Sequence, residues 1–323
     1  MRVHSWLAIE EAVVFRTLAR VQEGMQGSRQ EGGSPGTPPP EGRACRGRIA
    51  PTPSGWLHLG HAATFRVAWQ RVRAAGGTLL YRTEDLDPHR CRPEYVAAAL
   101  EDLRWLGLDW DEGPDCGGPR APYRQSGRLA GYRLLMEKLH RRGLVYPAPQ
   151  SRREIREAAP PTSPRDGEIL FPPDFRPPAD APMPPFAPRM NWRFRVPDGR
   201  EVPFADRRLG QKAFRAGRDF GDFLVWRRDG VPSYELAVVA DDHAMGITEV
   251  VRGEDLLVST ARQLLLYEAL GWSPPAWFHC PLVADPDTGE RLAKTHRSLA
   301  LRELRKRGLK PAEVFARADG QRL

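Results

Sequence analysis

Cysteine is scarce in this sequence and widely spread. Cys45, Cys91, Cys116 and Cys280 form no C-x-x-C pair. That spacing argues against a disulfide framework and fits reduced thiols in a cytoplasm. Long apolar runs are also missing. No stretch approaches the roughly 20 residues that a helix needs to cross a bilayer. The N-terminus has no cationic start followed by an apolar core and a small-residue cleavage site, so no secretion signal is read. A cytoplasmic protein without membrane contact is expected.

Lysine is rarer still relative to charge. Lys138, Lys212, Lys294, Lys306 and Lys310 are the lysines, and arginine supplies the rest of a formal net charge of +8. Such a balance favours polyanionic partners such as nucleic acid, although compositional bias explains it more simply. It has one consequence: a lysine inside a motif is less often incidental here.

What is present is enough for a folded protein. The 323 residues are 41% hydrophobic, which allows a sizeable core in one large domain or two smaller ones. Residues 1–47 read as a disordered or mis-assigned extension, with a Gly/Pro/Ser/Gln/Arg-rich stretch from 25 to 47. From Arg48 the pattern changes. Strand, Pro/Gly loop, helix (Ala62, Phe65, Trp69, Val72), strand (TLLYRT) and helix (Val96, Leu100, Leu103, Leu106) follow one another. This alternation predicts α/β architecture: a Rossmann-like parallel sheet with helices on both faces. Ligands of such sheets bind beyond the carboxyl ends of the strands. Residues of about 147–190 are rich in proline and predict an irregular insertion of extended loops. SYELAVVAD (Ser233–Asp241) reads as a buried parallel strand because its apolar run is nearly continuous. Residues 309–323 read as a short tail.

Two constellations carry chemistry. The stretch RIAPTPSGWLHLGH (Arg48–His61) sets His58 and His61 at a loop-to-helix junction. Helix starts present unpaired N–H groups and partial positive charge, and imidazoles can donate to phosphate oxygens. An H-x-x-H spacing alone is weak, since histidines so placed are often merely solvated. The second is Arg291-Leu-Ala-Lys294-Thr. It reads either as a basic surface loop or as a phosphate grip, and the rarity of lysine favours the grip.

Together these stretches resemble the two ATP-binding motifs of class I aminoacyl-tRNA synthetases. RIAPTPSGWLHLGH, YRTEDLD, LRWLGLDWDEGP, YELAVVADDHAMGITEVVRGEDL, TARQLLLYEALGW and ERLAKTH, in that order, look like the glutamyl-tRNA synthetase catalytic domain over 48–308. No helical anticodon-binding region is read after them. That shorter form is similar to the glutamyl-queuosine tRNA(Asp) synthetase family. The resemblance implies a ligase that activates L-glutamate with ATP and transfers it to queuosine in the tRNA(Asp) anticodon. It implies Arg48, Ile49, Ala50, Pro51, Thr52, Glu84, Tyr234 and Arg252 around glutamate. Glu84 would hold the ammonium and Arg252 the side-chain carboxylate. It implies His58, His61 and Lys294 at ATP, with Mg²⁺ carried by the phosphates. A monomer is expected. Two alternatives stay open: an amino-acid adenylating ligase with a non-tRNA acceptor, and an inactive tRNA-binding paralogue.

The sequence departs from the family in two places. The family commonly binds zinc in the insertion, but Ala148, Gln150, Phe171 and Phe175 stand at the ligand positions and none is a normal zinc ligand. No zinc is expected, and the prolines and aromatics of the insertion are expected to brace it instead. Glu235 follows Tyr234 where an uncharged residue is more usual, which adds negative charge near a site for an anionic substrate.

Overall fold

A computed structural model describes residues 44–159, 169–283 and 300–320. The chain enters through β1 (Arg46–Ile49), α1 (Leu59–Ala74), β2 (Thr78–Tyr81) and α2 (Pro93–Trp105). β1 and β2 pair in parallel, with Arg48 opposite Leu80. Leu79 and Tyr81 enter one apolar cluster with Leu59, Ala62, Phe65 and Val72 of α1. Leu80, between them, enters a second cluster with Trp277. Alternate residues of one strand therefore serve opposite faces, and both faces are covered. Gly47 permits the closest approach: a Cβ there would lie 2.4 Å from Val72 of α1.

The other half of the sheet comes from much later in the chain. β8 (Glu249–Gly253) and β9 (Ala276–Cys280) pair in parallel, and β5 (Glu201–Asp206) joins β9 through Asp206 and Trp277. β6 (Gly210–Arg215) folds back on β5 as an antiparallel edge. The halves meet where the Thr248 N–H donates to the Arg46 carbonyl at 2.9 Å. The α/β class expected from the sequence holds, with this antiparallel edge added.

One element differs in kind. SYELAVVAD is not a strand; it forms most of α5 (Tyr234–Ala244). Every residue from Glu235 to Asp242 is buried. A helix buried on all sides shows no 3.6-residue period, so its sequence looks like that of an internal strand. Ser233 caps its start. α6 (Leu257–Leu270) follows, starting two residues before Ser259, and stops at Gly271 with φ 76°. After α7 (Leu301–Lys306), α8 (Pro311–Ala318) lies within the expected tail, with Val314 and Ala318 in the cluster that α1 lines. Of the expected extension 1–47, residues 1–43 lie outside the described residues.

The insertion is less irregular than its prolines imply. α3 (Leu129–Arg141) leads into β3 (Val145–Pro147), which pairs antiparallel with β4 (Trp192–Phe194), and β4 with β7 (Phe223–Trp226). A short helix, α4 (Arg152–Ala158), starts at a Ser151–Glu154 capping box. Ala148, Phe171 and Tyr146 are buried together, with Phe175 packed against them. Beside them one carboxylate gathers the loops. Asp222 receives the Arg176 guanidinium on both oxygens at 2.6 Å, the Val196 N–H at 2.8 Å, and the Tyr146 hydroxyl. Arg176 also pairs with Asp198. Among the described residues no group of three or more His, Cys, Asp or Glu could hold a metal. Removing the buried charge leaves Arg176 without its main partner, so Asp222→Asn should lower stability by about 3 kcal/mol. Urea unfolding checks this, and the same melts should not respond to a zinc chelator.

Candidate active site

β1 and β2 end side by side, and the loops beyond them are zipped together. The Arg82 N–H donates to the Ile49 carbonyl at 2.9 Å, and the Glu84 N–H to the Pro51 carbonyl at 3.1 Å. Glu84 is thereby set beside the Arg48–Thr52 segment. Its side chain is buried, and so are those of Arg48 and Arg82. The two arginines converge on Asp242 of α5, and Glu84 pairs with Arg82. Asp242 Oδ1 accepts from Arg82 Nη1 at 2.7 Å and from Arg48 Nε at 3.3 Å. Arg82 Nη2 donates to Glu84 Oε1 at 3.0 Å, and Arg48 Nη1 to the Val251 carbonyl at 3.0 Å. Burial works against the Asp242 carboxylate, but Arg48 and Arg82 outweigh it and hold its pKa low. For Glu84 burial wins and its pKa is raised despite Arg82 and Arg48. A cation arriving at Glu84 would restore the favoured charged form.

Arg252, at the end of β8, is the opposite case. It is 5% exposed, and no carboxylate among the described residues lies within ion-pair distance of it. Its partners are neutral. Nη1 donates to Gln263 Oε1 at 2.9 Å, Nη2 to Thr260 Oγ1 at 2.6 Å and the Leu256 carbonyl at 3.3 Å, and Nε to His279 Nε2 at 3.2 Å. Its guanidinium also lies 4.8 Å from the Trp277 ring centre. His279 can accept because Asp206 takes its Nδ1 proton at 2.7 Å. Burial and the adjacent Arg252 charge hold the His279 pKa down to about 4.

Tyr234 opens α5. It is 38% exposed, yet its hydroxyl feels Arg252, Glu84, Glu235 and Arg48, and burial pushes its pKa up to about 12. Both statements describe a ring lining a recess: protein surrounds it, and the hollow in front leaves part of it uncovered. Arg48, Glu84, Tyr234 and Arg252 are thus brought near one another. Glu235 is not part of that wall. It accepts from Ser259 and Gln263 at 2.8 Å each and faces Arg262 at 3.5 Å. Those contacts hold its carboxylate inside the protein, although its charge still reaches the Tyr234 hydroxyl.

The histidines build the start of α1. His58 is its N-cap: Nδ1 accepts from the Gly60 N–H at 3.2 Å, while the His58 N–H donates to His61 Nδ1 at 3.2 Å. With each Nδ1 accepting, the neutral ring carries its proton on Nε2 and can donate there. The three-residue spacing is therefore a capping geometry as well as a candidate phosphate contact. Ala300 pairs its backbone with His58. Arg291, Ala293 and Lys294 lie outside the described residues. A cavity of about 570 Å³ beside Cys45, Arg71, Arg207 and Glu249 opens at the amino ends of β1 and β8, away from these groups.

Sequence reading missed Arg82, Asp206, Asp242, Thr260, Gln263 and His279. Arg82 and His279 carried a faint signal, as polar residues in otherwise apolar strands. The others lie on helices or at strand ends where polarity is ordinary.

A parallel α/β sheet with a substrate-sized set of charges at its carboxyl edge and a capped helix start beside it is the catalytic architecture of a class I synthetase. A family described as tRNA synthetases class I (E and Q), catalytic domain, matches residues 44–166 and 187–317, and the chain belongs to it. It is 47% identical to a glutamyl-Q tRNA(Asp) synthetase of Nitratidesulfovibrio vulgaris over 83% of each chain. It is 46% identical to that of Symbiobacterium thermophilum, again over 83% of each. The glutamate–tRNA synthetase structure of Elizabethkingia anophelis is 31% identical with a TM-score of 0.66, covering 83% of this chain and 54% of that one.

The buried histidine makes a pH prediction. Its folded pKa, about 4, lies below the ordinary 6.5. The unfolded chain therefore binds more protons between those values, and stability present above pH 6.5 is lost as pH falls toward 4. His279→Gln should flatten that part of the pH–stability curve. Equal slopes for both proteins in urea titrations at pH 4.5 to 7 would refute the assignment.

Proposed function

We propose that this protein activates L-glutamate with ATP and transfers it to queuosine in the anticodon of tRNA(Asp). One observation carries the amino-acid half: the recess has two poles. Glu84, whose burial disfavours its charge, is one. Arg252, buried among neutral partners, is the other. A buried guanidinium with no carboxylate in contact is costly, and an incoming carboxylate would reduce that cost. Glutamate supplies an ammonium for the first pole and a side-chain carboxylate for the second. Tyr234 and the backbone from Ile49 through Ala50, Pro51 and Thr52 would line the space between.

ATP would lie over the start of α1, where unpaired N–H groups and the Nε2 donors of His58 and His61 meet phosphate. Lys294 would grip the phosphates, and Mg²⁺ would be held by phosphates and water. The α-carboxylate of glutamate attacks the α-phosphorus and pyrophosphate leaves. A queuosine hydroxyl then attacks the mixed anhydride, and AMP leaves. Positioning and charge stabilisation drive both steps, with no protein nucleophile. The printed names of the relatives support the acceptor. We assign 48–308 as the catalytic domain, acting in the cytoplasm and without zinc. No described helix is long and apolar enough to cross a membrane.

Arg252→Gln should lower kcat/KM for glutamate in ATP–pyrophosphate exchange by about 10²-fold, the cost of one buried charged contact. Lys294→Ala should slow adenylate formation by about 10²-fold or more; an unchanged exchange rate would remove it from the site. Labelled glutamate should appear on queuosine-containing tRNA(Asp) and not on unmodified tRNA. Labelling that ignores queuosine would overturn the acceptor, and no exchange at all would mark an inactive paralogue.

A further inference from the structure

Arg252 is offset by charges that do not touch it. Two neutral side chains stand between it and two carboxylates. His279 separates it from Asp206. Gln263 separates it from Glu235: Gln263 Oε1 accepts from Arg252 at 2.9 Å, and its Nε2 donates to Glu235 Oε2 at 2.8 Å. Gln263 is fully buried, and both contacts fix its amide. Turned over, it would set N–H against guanidinium and oxygen against carboxylate. Ser259 and Arg262 hold Glu235 on its far side.

We propose that Gln263 and Glu235 are positioning residues that set the preference for glutamate over glutamine. The inference rests on the reading that the substrate's side-chain carboxylate docks on Arg252. A carboxylate in direct contact with Arg252 would neutralise it, and the site would then gain little from a charged side chain over a neutral amide. A carboxylate one residue away steadies the buried guanidinium and leaves its charge to the ligand. The amide between them acts as a spacer. Glu235 is thus the anchor of that spacer and not an intruder in the pocket.

The test exchanges the two groups. The double variant Glu235→Gln/Gln263→Glu keeps net charge and nearly keeps volume, but moves the carboxylate onto Arg252. Glutamate- and glutamine-dependent ATP–pyrophosphate exchange are measured for wild type, the double variant and Glu235→Gln alone. In the double variant KM for glutamate should rise on the order of 10²-fold with kcat changed only a few-fold. The glutamate-to-glutamine ratio of kcat/KM should fall at least about tenfold. Glu235→Gln, which keeps every contact size and guards against misfolding of the double variant, should raise KM several-fold through loss of the fixed amide. A merely structural pair would lower both substrates alike and leave the ratio unchanged, which overturns the inference. Wild-type protein that uses glutamine as well as glutamate overturns the reading of Arg252 and this inference with it.

Discussion

One carboxylate oxygen joins three elements that are far apart in sequence. Asp242 Oδ1 on α5 holds Arg48 from the end of β1 and Arg82 from the end of β2. Arg82 in turn orients Glu84. The interaction lies at 1% exposure, where an unpaired charge would cost several kcal/mol. Neither arginine can relax without stranding the other partner, so the loop ends that form the recess are tied to a buried helix rather than left to their own conformations. Everything proposed for the amino-acid site depends on that tie.

The recess then divides its charges by a simple rule. Groups that position the wall are paired with one another, as Arg48 and Arg82 are with Asp242. Two groups stand outside that balance. Glu84 has a raised pKa, and Arg252 has neutral partners only. His279 supports Arg252 through its tautomer: Asp206 accepts the Nδ1–H hydrogen bond, so Nε2 can accept from Arg252. Local structure and chemistry also share atoms at α1. His58 and His61 cap the helix through Nδ1, and that use leaves the proton of a neutral ring on Nε2. A substitution there would affect the helix start and the phosphate contact together.

The insertion is held by packing and one buried ion cluster. None of Ala148, Gln150, Phe171 and Phe175 is a normal zinc ligand. Their neighbourhood is apolar contact plus the Asp222–Arg176–Tyr146 cluster, which ties β3, the proline loops and the approach to β7. The prolines that made this stretch look structureless instead set the path of loops between three short antiparallel strands.

Much of this was legible in the sequence because the relevant signals are local. The β1–α1–β2–α2 succession follows from periodicity, and the polar residues Arg48, Glu84, Tyr234 and Arg252 are singled out by the motifs that hold them. The absence of zinc-ligand chemistry at Ala148, Gln150, Phe171 and Phe175 was likewise a matter of residue type alone. Tertiary structure decided the rest. It made Ser233–Asp241 into a helix, since a segment buried on all sides carries no period to distinguish helix from strand. It turned Glu235 away from the recess, a direction set by Ser259, Gln263 and Arg262 on a neighbouring helix. It alone showed which arginines touch a carboxylate and which does not. Charge is written in the sequence, but compensation of charge depends on distance and burial, and those exist only once remote elements have packed.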